Sequence, residues 1–422
     1  MICRNRVCRS VGTSQSKKLS LDPWINTLRL GPEEQLVLLC ARSAVDTSAK
    51  QHVQFLLASS LDWDCVVTTA ISHRVCPLVG QTLVDFSADL VPERVNRFFS
   101  LRRREIASRN VYLSGELVRV AGLLHREEVR FLFYKGPVLA LIAFGQVGMR
   151  EFGDLDVLID SDQYERVLEI LADNGFRQTK DWGWECGMFD ERRNVAVDVH
   201  RGLAPDQFPL ALSFDDLFER SIRPVGMPSY VRTLSLEDTV VVLGIQIAKD
   251  AWGESPLRMS KLCDLAEMLR SGVKLDWKAV NLIASKCGVS RIVEISLLAS
   301  NLLLGAPLDR ALIRPQRGKR EFKLLRHVAT RLFGRSVGEF EPFVLSRSWF
   351  HFLLRERWRE TCIPYILSLR IILTPNDRDR RLIHFPRSLE ALYYVVRPLR
   401  LMVDCFLTCR RYALKRPKGR GG

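Results

Sequence analysis

Asp154 and Asp156 stand one residue apart in the run Gly153-Asp154-Leu155-Asp156-Val157-Leu158-Ile159, and a third aspartate sits in Val197-Asp198-Val199-His200. The apolar flanks predict strands. Alternate side chains of a strand share a face, so Asp154 and Asp156 point the same way, and a neighbouring strand carrying Asp198 would complete a cluster of three carboxylates. Like charges at that spacing raise one another's pKa, so the cluster needs a counter-charge. The hard cation suited to such oxygen ligands is Mg²⁺, with Mn²⁺ the alternative ion. Mg²⁺ binds through few carboxylates and fills its shell with water and substrate phosphates, which points to chemistry on a nucleoside triphosphate. The competing reading is a buried ion pair of Asp156 with Arg150 or Lys135.

The residues around the aspartates extend both readings. Lys135-Gly136-Pro137 closes a strand predicted over 129–134 and opens a helix over 138–144. The Gly136 N–H and the helix N-terminus would face phosphate, although Pro137 has no N–H and removes one donor. Arg150 is a candidate phosphate clamp because its planar fork matches phosphate oxygens. Lys135 would serve as a point charge on phosphate or as a counter-ion to the aspartates. His200 follows Asp198 by two and shares its face, either orienting a carboxylate, contacting an acceptor or simply ending the strand. Lys261 and Asp264 lie three apart on a predicted helix; they form a local salt bridge or line the nucleotide pocket. Trp182, Trp184 and Phe189 are placed to stack on a base or to fill the core.

These residues need a scaffold. Residues 31–127 read as helical, with a long stretch from Val95 to Arg126 that Gly115 and Gly122 weaken without ending. Strands follow near 129–134 and 155–160. A helix over 164–174 is capped by Ser161-Asp162 and stopped by Asn174-Gly175, and a hairpin of strands near 183–189 and 194–200 comes next. The chain is loop-like from Arg201 to Pro228. Helices are expected over 236–251, 261–269, 277–287 and 291–304. The predicted class is α+β: a small mixed-sheet core flanked by N-terminal and C-terminal helical blocks. The expected division is a tail at 1–20, a helical region at 21–127, the core at 128–202, a helical domain at 203–310 and a basic, largely helical region at 311–422.

Lys135-Gly136, Arg150, the Gly153–Ile159 run, Asn174-Gly175-Phe176 and Val197–His200 together resemble the signature of an uncharacterised bacterial nucleotidyltransferase family in the polymerase-β-like superfamily. Weaker likeness extends through Asn110–Leu124, Arg258–Asp264 and Phe385–Leu401. The resemblance implies a nucleotidyltransferase core in which Asp154, Asp156 and Asp198 hold Mg²⁺. Lys135, Gly136, Arg150 and Lys261 would bind nucleotide, with His200 and Asp264 as accessory residues. It implies transfer of an NMP group from an NTP to an acceptor hydroxyl, the acceptor being a small molecule or a protein. Two places depart from the family pattern: Gly136-Pro137 at the phosphate turn, and Gln246 and Asp250 where relatives often carry histidine. The alternative is a catalytically weak relative that binds nucleotide and a partner.

Composition bounds the rest. The chain has 422 residues, 47% of them hydrophobic, enough for a sizeable core, and a formal net charge of +15. From Ala311 onward there are 25 Lys+Arg against 9 Asp+Glu, so the whole excess is C-terminal and the first 310 residues are near neutral. A basic tail on a neutral body reads as an attachment device for an anionic membrane surface or nucleic acid, or as a solvated face. The near-neutral body and the lack of an RNA-binding motif argue against nucleic acid. Ser388–Arg416 alternates apolar and basic residues, a pattern suited to peripheral membrane contact. Eleven scattered cysteines without a Cys-x-x-Cys pair suggest reduced thiols in a cytoplasm rather than a disulfide framework or zinc ribbon. The polar N-terminus has no apolar signal stretch.

Overall fold

Charged residues alternating with apolar ones in two strands decide how the centre of this protein is built. The computed structural model describes residues 28, 30–205, 210–253, 257–308, 319–333, 343–357, 390 and 392–400. The expected tail at 1–20, most of the basic segment from 358 onward, and Cys3, Cys8, Cys362, Cys405 and Cys409 lie outside the described residues. The chain divides into two units, Met1–Pro205 with Leu210–Glu356, and Asp206–Pro209 with Arg357–Gly422. Of the second, 393–400 is helical.

Five strands, β1 (Phe131–Phe133), β2 (Asp154–Ile159), β3 (Arg177–Asp181), β4 (Glu185–Asp190) and β5 (Val195–His200), form one mixed sheet in the order β1-β2-β5-β4-β3. β2 and β5 run parallel, and every other neighbour is antiparallel. Leu155, Val157 and Ile159 of β2 and Val195, Val197 and Val199 of β5 are fully buried on one face. They pack against Leu113, Leu117, Val120 and Leu124 of the helix Glu93–Arg126 and against Val167 and Leu171 of the helix Tyr164–Asp173. Full burial of each such side chain stabilises by about 1.5–3 kcal/mol relative to exposure, so this face holds the sheet in place.

Helices α1 (Pro32–Cys40), α2 (Thr47–Leu57), α3 (Trp63–Ser72), α4 (Cys76–Ser87) and α5 (Glu93–Arg126) precede the sheet. At 1.5 Å per residue the 34 residues of α5 span about 50 Å, and neither Gly115 nor Gly122 interrupts it. Within the sheet region, α6 (Gly136–Phe144) links β1 to β2 and α7 (Tyr164–Asp173) links β2 to β3. After it come α8 (Phe214–Glu219), α9 (Leu236–Trp252), α10 (Met259–Arg270), α11 (Trp277–Lys286), α12 (Ser290–Leu304), α13 (Lys319–Leu332) and α14 (Phe343–Leu354). Helix α9 starts where Ser235 accepts from the Asp238 N–H at 3.0 Å, and Asp238 is in turn gripped by the guanidinium fork of Arg220. The second face of the sheet packs Leu132, Tyr134 and Leu158 against Leu203, Leu217, Leu234 and Val242.

The architecture is the α+β class read from the sequence, with two additions. β3 is a strand in a stretch whose five residues are all exposed, so no apolar period marks it. α8 lies in the proline-bounded stretch expected to be a loop, where Ser213 caps it by accepting from the Asp216 N–H. Among the described residues no helix is long and apolar enough to cross a membrane. Cys40, Cys65, Cys76, Cys186, Cys263 and Cys287 are free thiols.

Candidate active site

The face opposite α5 carries the charged residues. β2 and β5 pair with Asp156 directly beside Asp198, and with Asp154 beside Ala196. The three aspartates therefore share one face at the middle of the sheet, because even-numbered residues of both strands point away from the apolar core.

Each carboxylate has its own environment. Lys135 donates from Nζ to Asp156 Oδ1 at 2.7 Å, and His200 Nε2 meets the same oxygen at 3.1 Å. The Lys135 and Asp156 side chains are only 13% and 8% exposed. Burial alone would raise the Asp156 carboxyl, but the Lys135 ammonium and His200 hold it well below the usual carboxylate range. The Oδ2 atom of Asp156 has no hydrogen-bond partner among the described residues. Asp198 behaves oppositely. Burial and the neighbouring Glu185 push its carboxyl up to about 6, with Asp156 and Asp154 adding to the shift and Lys180 opposing it. Lys180, on edge strand β3, reaches Glu185 Oε1 at 2.8 Å and Asp198 Oδ2 at 3.2 Å.

His200 is buried between two acids, with Nε2 on Asp156 and Nδ1 3.6 Å from Glu185 Oε2. Burial lowers its pKa, with Asp156 pulling the other way. In the neutral ring the Nε2 proton is assigned by its carboxylate partner. Tyr134 and Trp184 flank the ring at 5.4 and 5.5 Å.

Lys135 is the residue before α6, and Gly136 opens that helix. Gly136 has φ +54°, and a Cβ on it would lie 3.3 Å from the Asp154 carbonyl oxygen. Both the backbone sign and the close approach to the aspartate strand call for glycine here. Arg150 forms a bidentate pair with Asp264, Nε to Oδ1 at 2.7 Å and Nη2 to Oδ2 at 3.0 Å. Burial opposes its charge, but Asp264 outweighs it, with Asp156 and Asp154 contributing, so its pKa is raised. Its Nη1 is buried and has no hydrogen-bond partner among the described residues, an orphaned donor of the kind a phosphate oxygen satisfies.

Sequence spacing suggests that Lys261 and Asp264 pair locally. The structure gives Asp264 to Arg150, far away in the chain, and leaves Lys261 3.9 Å from Asp250. Lys249 shares that aspartate at the same 3.9 Å and lies 5.0 Å from the Trp184 ring. Burial lowers the pKa of both lysines and Lys135 lowers each further, taking Lys249 to about 8. Lys135, Lys249 and Lys261 thus crowd together with one loosely held acid between two of them. Gln246 donates to the Leu203 carbonyl at 2.9 Å and is buried. Glu185, Lys180 and Lys249 are site residues that sequence reasoning missed. Glu185 lies in a hairpin read for its aromatics, Lys180 on the unseen edge strand, and Lys249 one residue before an aspartate noticed only as a departure from a family pattern.

Among the described residues no group of three His, Cys, Asp or Glu side chains is drawn together as a ready cation site. Lys135 and Lys180 supply the counter-charge instead. The donor chemistry nonetheless suits a hard divalent ion: the aspartates are all-oxygen ligands on one face, Asp156 Oδ2 is unclaimed, and negative charge is in surplus at Asp198.

A mixed sheet with carboxylates on one face, a glycine-opened helix at its edge and lysines from a helical block defines an α+β domain with a densely charged polar centre. The family described as uncharacterised nucleotidyltransferase matches residues 59–305, more than half of the chain, and the protein belongs to that family. A comparison with curated proteins gave no match, and neither did one with solved structures.

Proposed function

We propose that the protein is a divalent-cation-dependent nucleotidyltransferase that moves an NMP group from an NTP to an acceptor hydroxyl and releases pyrophosphate. The observation that carries this reading is the direct pairing of Asp156 with Asp198, with Asp154 on the same face, in a chain of nucleotidyltransferase family. Asp154, Asp156 and Asp198 would hold Mg²⁺ or Mn²⁺. The bound ion would neutralise triphosphate charge and stabilise the attacking and leaving oxygens. Asp198 completes that ligand set or takes the proton of the acceptor hydroxyl as its oxygen bonds to the α-phosphorus and the bond to pyrophosphate breaks. Lys135, Lys261, the Gly136 N–H and Arg150 Nη1 receive phosphate oxygens. His200 orients Asp156, and Asp264 orients Arg150. The acceptor is a small molecule or a protein side chain. The basic C-terminal region anchors the protein peripherally to an anionic membrane on the cytoplasmic side.

The experiment is incubation with each labelled NTP, Mg²⁺ and a metabolite or protein extract, read as acceptor-dependent pyrophosphate release. Release that vanishes in Asp198→Asn supports the reading; equal release in that variant overturns it. Two observations favour a second reading, a nucleotide-binding protein with little catalysis: two of the aspartates are already countered by lysines, and Pro137 removes a donor at the phosphate turn. Saturable, Mg²⁺-dependent NTP binding without release in the same assay supports that second reading.

A further inference from the structure

A polar concavity shares no lining residue with the carboxylate face. A cleft of about 390 Å³ opens beside α4, α5 and the tight turn Val147–Met149, with Gln81, Ser100, Arg103, Arg104, Gln146 and Gly148 among its walls. That volume falls in the range of small-molecule sites. Such sites are usually mostly apolar; this one carries two guanidiniums, a hydroxyl and two amides, with no carboxylate on its walls. The neighbouring arginine, Arg102, is neutralised by Glu151 at 2.8 Å and Glu105 at 3.4 Å. Among the described residues Arg103 has only a neutral acceptor, Gln81 Oε1. Arg104 has no hydrogen-bond or ionic partner among the described residues. Two solvated arginines on a helix would be ordinary. Here they meet amide and hydroxyl groups from three separate elements around a hollow, and planar guanidinium forks match phosphate oxygens.

The cleft is also tied to the site. Gly148 packs so closely on α5 that a Cβ would lie 3.3 Å from Ala107 Cβ. Asn110 donates to the carbonyls of Val147 at 2.6 Å and Arg150 at 2.7 Å. One wall of the cleft and the backbone of Arg150 are therefore held by one amide, and Asp154 follows four residues later.

We propose that this cleft binds a compact phosphate-type anion, inorganic phosphate or a phosphomonoester, as a site separate from the triphosphate face. The test titrates the full chain with inorganic phosphate and, separately, glycerol phosphate by calorimetry at fixed ionic strength. The chains compared are unaltered, Arg104→Gln, Arg103→Gln with Arg104→Gln, and Arg94→Gln, which removes an exposed arginine outside both sites. Saturable binding that weakens at least about tenfold in the double variant and stays unchanged in Arg94→Gln supports the proposal. The tighter of the two probes then identifies the source as free phosphate or a phosphorylated metabolite. No saturable binding of either probe, equal affinity in all four chains, or an equal loss in Arg94→Gln overturns it. Arg104 is exposed, so Arg104→Gln serves if the double variant fails to fold, with a several-fold loss expected and no loss overturning the site. No turnover is read, so a failure of nucleotidyl transfer leaves this result standing.

Discussion

The two faces of the β2–β5 pair are made from the same twelve residues and behave as different materials. Leu155, Val157, Ile159, Val195, Val197 and Val199 are fully buried under α5 and α7. The residues between them include Asp154, Asp156, Asp198 and His200, set among lysines and glutamate. One face stabilises the sheet and the other is costly to build, because buried charges need partners and their desolvation offsets much of their attraction. The apolar face supplies the stability that lets the polar face tolerate its crowded charge. Neighbouring residues in one strand should therefore fail in different ways when altered.

The largest separation is expected between Asp154→Asn and Leu155→Ala. The first should lower pyrophosphate release by about 100-fold or more, as loss of a group aimed at developing charge does, with melting nearly unchanged. The second should cost about 2–5 kcal/mol of stability, the range for a large-to-small change in a core, while turnover per folded molecule is kept. Denaturant melts beside single-turnover assays on both variants check this. Equal turnover losses would erase the distinction between the faces.

Within the polar face, Asp156 and Asp198 should differ as well. Asp156→Asn leaves the Lys135 ammonium buried without its counter-ion and should cost about 3–5 kcal/mol, as breaking a buried pair does. Asp198→Asn frees Lys180, which is 40% exposed, and should cost no more than about 1 kcal/mol. Chemical denaturation of the two variants measures the gap. Similar melts would mean that Lys135 finds another partner.

The crowded lysines predict a pH dependence. Burial takes Lys249 down from 10.5 to about 8. Below pH 8 folded and unfolded chains both keep its proton, and the cost of burying the charge is felt in full. From pH 8 to 10.5 the folded chain has released the proton and the unfolded chain has not, so stability from this group rises with pH. Lys249→Met should thus be the more stable chain near pH 7, with an advantage that shrinks across that window. An advantage that does not change with pH would mean Lys249 is not desolvated. The smallest effect is at the rim: Lys180→Gln should tighten Mn²⁺ binding by about 1.4- to 5-fold, the weight of a half-exposed ion pair competing for Asp198. Titration followed by paramagnetic broadening reads it.

Much of this contrast is legible in the order of the amino acids. β2 and β5 announce themselves because charges at every other position of an apolar strand are expensive to bury unless they meet a partner or an ion, and the Asn174-Gly175 stop places the end of α7. Lys135 beside Asp156 is one of two readings that the same residues allow. The unread parts are those that depend on distance in space rather than along the chain. β3 has no apolar residue to betray a face. Asp264 finds Arg150 across 114 positions instead of Lys261 three places away, because a bidentate guanidinium satisfies both carboxylate oxygens and a lysine satisfies one. Lys249 and Glu185 matter only because α9 and β4 bring them to a centre that their local sequence does not mention.

The strand order also sets a sequence of events. β5 lies between β2 and β4, so the last strand to leave the ribosome is the one that must slot into the middle of the sheet. Until it does, Asp156 has no Asp198 beside it and His200 has no Asp156 to meet. The paired aspartates are thus completed by the last strand of the sheet, ahead of the α9 and α10 residues Lys249, Lys261 and Asp264 that close around them from further along the chain.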